Sequence, residues 1–158
     1  MTIHSWLAAG VAGACLIVAG VTLLTPIAEA QAPAQAIAVR KEAMKGNGAA
    51  ARTLTQMVRG EQPWNQQAAV QAATAINDTA KKIPSLFPPG SGTGDTNALP
   101  AIWEKNADFV AAAKKLEDAS GAVLKAAQAN DEAGVKTAFP TVGQACGGCH
   151  TPYRKPLS

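Results

Sequence analysis

Apolar residues recur at helical spacing in four stretches of this chain, and no stretch keeps the strict alternation of a strand. In the first, Ile37, Met44, Ala51, Leu54 and Val58 share a face until Gly60 stops the helix, with Gly46 and Gly48 weakening its middle. The second opens at Asn65 as a cap, shows Val70, Ala73, Ile76, Ala80 and Ile83 on one side, and ends before Pro84. The third has the clearest stripe, from Ile102 through Phe109, Ala112, Leu116, Ala119 and Val123 to Ala126. The fourth starts after Asn130, places Asp131 and Glu132 where the helix dipole favours acids, and aligns Val135, Phe139, Val142, Cys146, Cys149 and Tyr153. Pro140 withdraws the hydrogen bond owed to the carbonyl of Lys136, so this helix is expected to bend there or to become regular only near Thr141.

The links between these stretches differ in kind. The first and third are short, whereas residues 84–100 are rich in Pro and Gly, lack periodicity and are too long for a tight turn. The Gly-rich run here is followed by no Gly-Lys-Ser/Thr and preceded by no strand, so it reads as a solvated crossover and not a phosphate cradle. Two short links around one long one predict an all-α, antiparallel four-helix bundle, the architecture that houses a cofactor among facing helices.

Composition agrees. Aromatic residues make up only 4% of the chain and alanine is abundant, which suits closely packed helices better than a sheet. An alanine core is thin for a domain of this size, so a buried cofactor is expected to supply missing apolar volume and the chain without it to fold poorly.

The chemistry lies at the end of the fourth helix, in Cys146-Gly147-Gly148-Cys149-His150. Thiols three positions apart lie on one helix face about a turn from each other, spaced to add to the two vinyl groups along one porphyrin edge. The histidine that follows stands where it can ligate the iron from below. A structural zinc site would need two more Cys or His ligands and a thioredoxin-like pair would need a preceding strand, and the chain outside its first 30 residues has neither. The pentapeptide is therefore the attachment sequence of one covalently bound haem c, with Cys146 and Cys149 as the thioether residues and His150 as the proximal metal ligand.

Haem c is attached outside the cytoplasm, so an export signal is expected. Trp6 to Leu24 is a long uncharged apolar stretch, and Ala28-Glu29-Ala30 has the small-x-small pattern of a cleavage site. Residues 1–30 are accordingly read as a signal peptide and 31–158 as the exported bundle, in the periplasm. The segment Met1 to Ser5 carries no Lys or Arg and the apolar run is longer than usual, which leaves an uncleaved membrane anchor as the alternative. Cys15 is followed by further apolar residues where a mature lipoprotein would begin, so it reads as a bystander.

The formal net charge is +3, from 14 basic and 11 acidic side chains, and becomes +4 when Glu29 leaves with the leader. The two propionates of a haem offset about half of that, which makes no case for nucleic acid as a partner.

With the haem motif at its C-terminal end, the chain resembles the class II c-type cytochromes over residues 33 to 155. The resemblance is carried by Arg40-Lys41-Glu42-Ala43-Met44, by Leu86-Phe87-Pro88, by Ile102-Trp103, and most specifically by Cys146 through Arg154. It implies a periplasmic bundle, often a homodimer, with haem between the first and last helices. One branch of that family is five-coordinate and high-spin, and another is low-spin with a methionine of the first helix as sixth ligand.

Beyond residue 30 the chain has two methionines, Met44 and Met57, about 20 Å apart along a continuous helix and on different sides of it. Met44 matches the position of the low-spin branch's ligand, and its sequence Met44-Lys45-Gly46-Asn47-Gly48 looks more like that branch. The bland alternative is core packing, the usual work of a methionine at helical spacing. Arg40 is expected to meet a haem propionate, with Arg154 a second candidate. Phe87 and Tyr153 are expected to wall the macrocycle, and Trp103 to pack in the bundle.

Two functions follow. If Met44 fills the sixth position, the protein is a one-electron carrier serving redox partner proteins of a periplasmic chain, with Lys41, Lys45, Arg154 and Lys155 available to steer an acidic partner. If the position stays open, it binds nitric oxide or carbon monoxide. An enzyme is not expected: the sole histidine beyond the leader is committed to iron, no cysteine is left as a nucleophile, and the carboxylates form no obvious acid–base pair.

Overall fold

The structure is a computed structural model that describes the backbone of residues 25–156 and the side chains of residues 33–156. The leader's apolar run, with His4 and Cys15, lies outside the described residues. The helices are α1 (Thr25–Val58), α2 (Gln66–Lys82), the one-turn α3 (Ala101–Glu104), α4 (Asn106–Gln128) and α5 (Glu132–Tyr153), with a 3-10 turn over Ile83–Leu86. Among the described residues no helix is long and apolar enough to cross a membrane. The architecture is the expected four-helix bundle, built on α1, α2, α4 and α5.

Local signals set most of the boundaries. Asn65 accepts from the backbone N–H of Ala68 at 2.9 Å and Asp131 from that of Gly134 at 2.8 Å, each satisfying an N-terminal donor of its helix. Asn130 turns the chain out of α4 with a positive φ of 55°, a conformation its short amide tolerates. The Trp64 indole donates to the Asn130 side chain at 2.9 Å, tying the α1–α2 loop to the α4–α5 loop at one end of the bundle.

Three boundaries differ from the periodicity. α1 starts well ahead of the Ile37 stripe: Pro26 falls in its first turn, where a missing N–H costs nothing, and the alanines and glutamines around the interior Pro33 favour helix on either side of it. The third predicted helix is two: Lys105 breaks it at φ −119°, ψ 47°. The break follows from divided loyalties, since Trp103 donates to the carbonyls of Phe87 and Pro88 and so docks α3 on the crossover, while α4 follows the bundle. Third, Pro140 lies inside α5 and ends nothing: the helix is already formed at Glu132, well before Thr141. The carbonyl of Lys136 that Pro140 cannot serve belongs to an exposed residue, where water is at hand.

The core is built from small residues. Ala69, Ala73, Ala113 and Ala127 pack with Leu54, Ile76, Phe109, Val123 and Val135, all essentially inaccessible to solvent. Asn77 is buried among them and donates to the Glu117 carbonyl at 2.8 Å, which links α2 to α4. Packing is not uniform around the bundle. α1 lies along α2, α2 along α4 and α4 along α5, but α1 and α5 barely touch. Three seams are closed and the fourth is open.

Candidate haem site

The open seam runs between the two helices on which the sequence concentrates its chemistry. On α5, Val135, Val142 and Tyr153 are buried, whereas Phe139, Cys146, Cys149 and His150 among them are only half-buried. On α1 the inward stripe is likewise buried at its ends, by Ile37 and Arg40 and by Leu54 and Met57, and half-exposed between them at Met44, Asn47, Gly48 and Ala51. A Cβ placed on Gly48 would meet nothing within 4 Å. The Oδ1 of Asn47, one turn beyond Met44, is buried without a hydrogen-bond partner.

Cys146 and Cys149 are free thiols one helical turn apart. Burial raises the pKa of both, so they are protonated at neutral pH. His150 is moved the other way: burial first, and then the charge of Arg154, lower its pKa and keep the imidazole neutral with a lone pair to offer. Among the described residues no group of three His, Cys, Asp or Glu side chains is arranged to hold a bare metal ion. Two thiols, a neutral imidazole and a thioether on the facing helix fit a haem in donor chemistry, and the sparse packing between α1 and α5 leaves that seam open to it.

The two methionines separate clearly. Met57 is 4% exposed and belongs to the core cluster, while Met44 is only half-buried and packs against that cluster from its edge. Of the expected walls, Tyr153 packs edge-on against Phe109 with ring centroids 5.2 Å apart, and Phe109 meets Phe87 at 5.0 Å. These three rings line the end of the bundle where the haem motif lies. Trp103 is half-buried and holds the crossover through its indole N–H, so its place is beside the bundle core and not in it.

Arg40 is where the sequence is least informative. Only 3% exposed, its guanidinium donates to the Ser91 hydroxyl at 2.8 Å, the Ser91 carbonyl at 2.7 Å and the Thr96 hydroxyl at 2.6 Å, and lies 4.7 Å from the centre of the Phe87 ring. Desolvation lowers its pKa, and no carboxylate pairs with it among the described residues. These bonds use three of its five N–H donors, so a propionate contact is compatible with them. Arg154 is half-buried at the end of α5, where its backbone bridges Ala98 of the crossover. Ser91, Thr96 and Asn47 carry no sequence signal of their own, since polar residues in a Gly-rich loop and a lone Asn on a helix are ordinarily solvated.

Comparison with known proteins decides the class. The family described as Cytochrome C' matches residues 35–154, from the first third of α1 to the residue after Tyr153. The chain belongs to the cytochrome c' family. Within it, the chain is 44% identical over 115 residues to cytochrome c-556 of Agrobacterium fabrum, covering 73% of this chain and 77% of the relative. The solved cytochrome c' of Rhodopseudomonas palustris is 38% identical, with a TM-score of 0.71 over 78% of this chain and 98% of that one. The nitric oxide complex of a variant of cytochrome c prime from Alcaligenes xylosoxidans is 26% identical, with a TM-score of 0.73 over 79% of this chain and 97% of that one. The protein is thus a class II c-type cytochrome, and its cofactor is haem c, carried near the C-terminus on the Cys146–His150 motif.

Proposed function

We propose that this cytochrome is a periplasmic one-electron carrier with His150 as proximal and Met44 as distal ligand. The observation that carries the reading is the contrast between the two methionines: Met57 is locked in the core, whereas Met44 is half-buried on α1, the helix that packs only sparsely on the haem-bearing α5. Haem, when bound, supplies a ferric/ferrous couple. The chain's own residues then do the rest. Cys146 and Cys149 fix one edge of the macrocycle, His150 offers a neutral nitrogen, and a Met44 thioether raises the reduction potential and keeps small ligands out of the sixth position.

Residues 1–30 are taken as the export signal, cleaved or kept as an anchor. Lys41 is engaged by Asp95 at 2.7 Å and Lys45 lies 3.6 Å from Glu42, whereas Arg154 and Lys155 have no ion pair among the described residues. These last two are the cations we assign to steering an acidic redox partner. A homodimer remains the expectation from the family resemblance.

The second reading, a five-coordinate protein that binds nitric oxide or carbon monoxide, is supported by the likeness to the Alcaligenes xylosoxidans protein, whose structure is a nitric oxide complex. Optical spectra of the ferric and ferrous holoprotein, with and without carbon monoxide, decide between them. The weak far-red ferric band of a sulfur–iron bond and indifference to carbon monoxide are expected. A high-spin spectrum that shifts at once on addition of the gas would establish the second reading.

A further inference from the structure

The crossover spans the seam that the helices leave open. On one side it is held to α1: Arg40, one turn before Met44 and on the same face, donates to Ser91 and Thr96, and Lys41 reaches Asp95. On the other side it is held to the residues just beyond His150. Leu99 donates its N–H to the Tyr153 carbonyl at 3.0 Å, and Lys155 donates to the Asn97 carbonyl at 2.8 Å.

Thr96 is the joint between the two sides. Its hydroxyl oxygen accepts from Arg40 at 2.6 Å and from the backbone N–H of Ala98 at 3.0 Å, and Ala98 is the residue that bridges Arg154. Ala98 itself shares no hydrogen bond with Arg154, but its neighbours Asn97 and Leu99 bond Lys155 and Tyr153, so hydrogen bonds joined by the short backbone stretch 96–99 lead from the helix bearing Met44 to the tail of the helix bearing His150. Direct packing between those helices is sparse, so they are joined at the haem end by this run and by the ring contacts that lead from Arg40 through Phe87 and Phe109 to Tyr153.

We propose that Arg40 and Thr96 are positioning residues for the iron: through the crossover they fix the distance between α1 and α5 and so hold Met44 within reach of the sixth position. Neither needs to touch the reacting atoms. Arg40 is suited to the work because its guanidinium presents several donors in one rigid plane, and because its burial keeps water from competing for them. The inference rests on Met44 as distal ligand.

The experiment is stopped-flow binding of carbon monoxide to ferrous holoprotein in the parent, Thr96→Val, Thr96→Ser, Met44→Ala and the Met44→Ala/Thr96→Val double variant. Valine removes the shared acceptor at nearly constant volume, and serine keeps it. Thr96→Val is expected to bind carbon monoxide up to about tenfold faster than the parent, the factor corresponding to one hydrogen bond of ordinary net strength. Thr96→Ser should behave as the parent, Met44→Ala should be fast, and the double variant should match Met44→Ala.

Equal rates in Thr96→Val and the parent, with Met44→Ala fast, would overturn the positioning role and leave the distal ligand intact. The same acceleration in Thr96→Ser, or a double variant faster than Met44→Ala, would also overturn it, since either points to general loosening or to gas access. A parent already as fast as Met44→Ala would instead remove the distal ligand, and the inference with it. If Thr96→Val fails to load haem, Ser91→Ala, which deletes the other side-chain acceptor of Arg40, serves in its place with the same outcomes.

Discussion

Gly92 lies beneath the indole of Trp103, so close that a Cβ at position 92 would stand 2.9 Å from the ring. The ring cannot step aside cheaply, because its N–H is held by the carbonyls of Phe87 and Pro88 at 3.1 and 3.2 Å. Gly92→Ala is therefore expected to destabilise the holoprotein by about 1–3 kcal/mol, the usual cost of overpacking. Denaturant unfolding measures it, and an unchanged midpoint would mean that the crossover yields freely.

The methionines give opposite signatures. Met44→Ala should abolish the sulfur–iron band and open the ferrous iron to carbon monoxide. Met57→Ala should leave both spectra unchanged and cost about 2–5 kcal/mol, as expected for a large-to-small change in a packed core. Spectra and unfolding curves of the two variants test both halves, and a spectral change in Met57→Ala would contradict the assignment.

The helix caps predict a purely structural loss. Asn65→Ala and Asp131→Ala each remove a side-chain acceptor from an N-terminal N–H, at a cost of about 1 kcal/mol. Neither lies near the seam, so the optical spectrum should stay the same while the unfolding midpoint falls.

Without the cofactor the α1–α5 side of the bundle has little to hold it. Cys146→Ser/Cys149→Ser, which cannot form the thioether bonds, is expected to lose a large part of its helical circular dichroism and its cooperative unfolding. A native-like melting curve for that variant would show that the three closed seams suffice.

What was legible in the sequence was local. The haem pentapeptide, the Asn65 cap and the start of α5 after Asn130 each depend on residues a few positions apart. The partners of Arg40, Ser91 and Thr96, lie more than fifty residues away and leave no mark on its local sequence. The break at Lys105 was hidden for a related reason. The apolar stripe continues through it, and only the docking of Trp103 on a distant loop interrupts the helix. Asn47 gave no sign of burial, since whether a polar residue faces water depends on which seam of the bundle stays open.

The Trp64–Asn130 hydrogen bond clasps the bundle at the end opposite the haem motif. The four helices thus resemble a pair of tweezers, pivoted at the short loops and braced at the tips by the crossover. Met44 sits roughly 20 Å from that pivot, so a splay of about 3° displaces it by about 1 Å. With such leverage, a slight change in helix angle is amplified at the tips, so a brace placed there restrains it far more than one near the fulcrum.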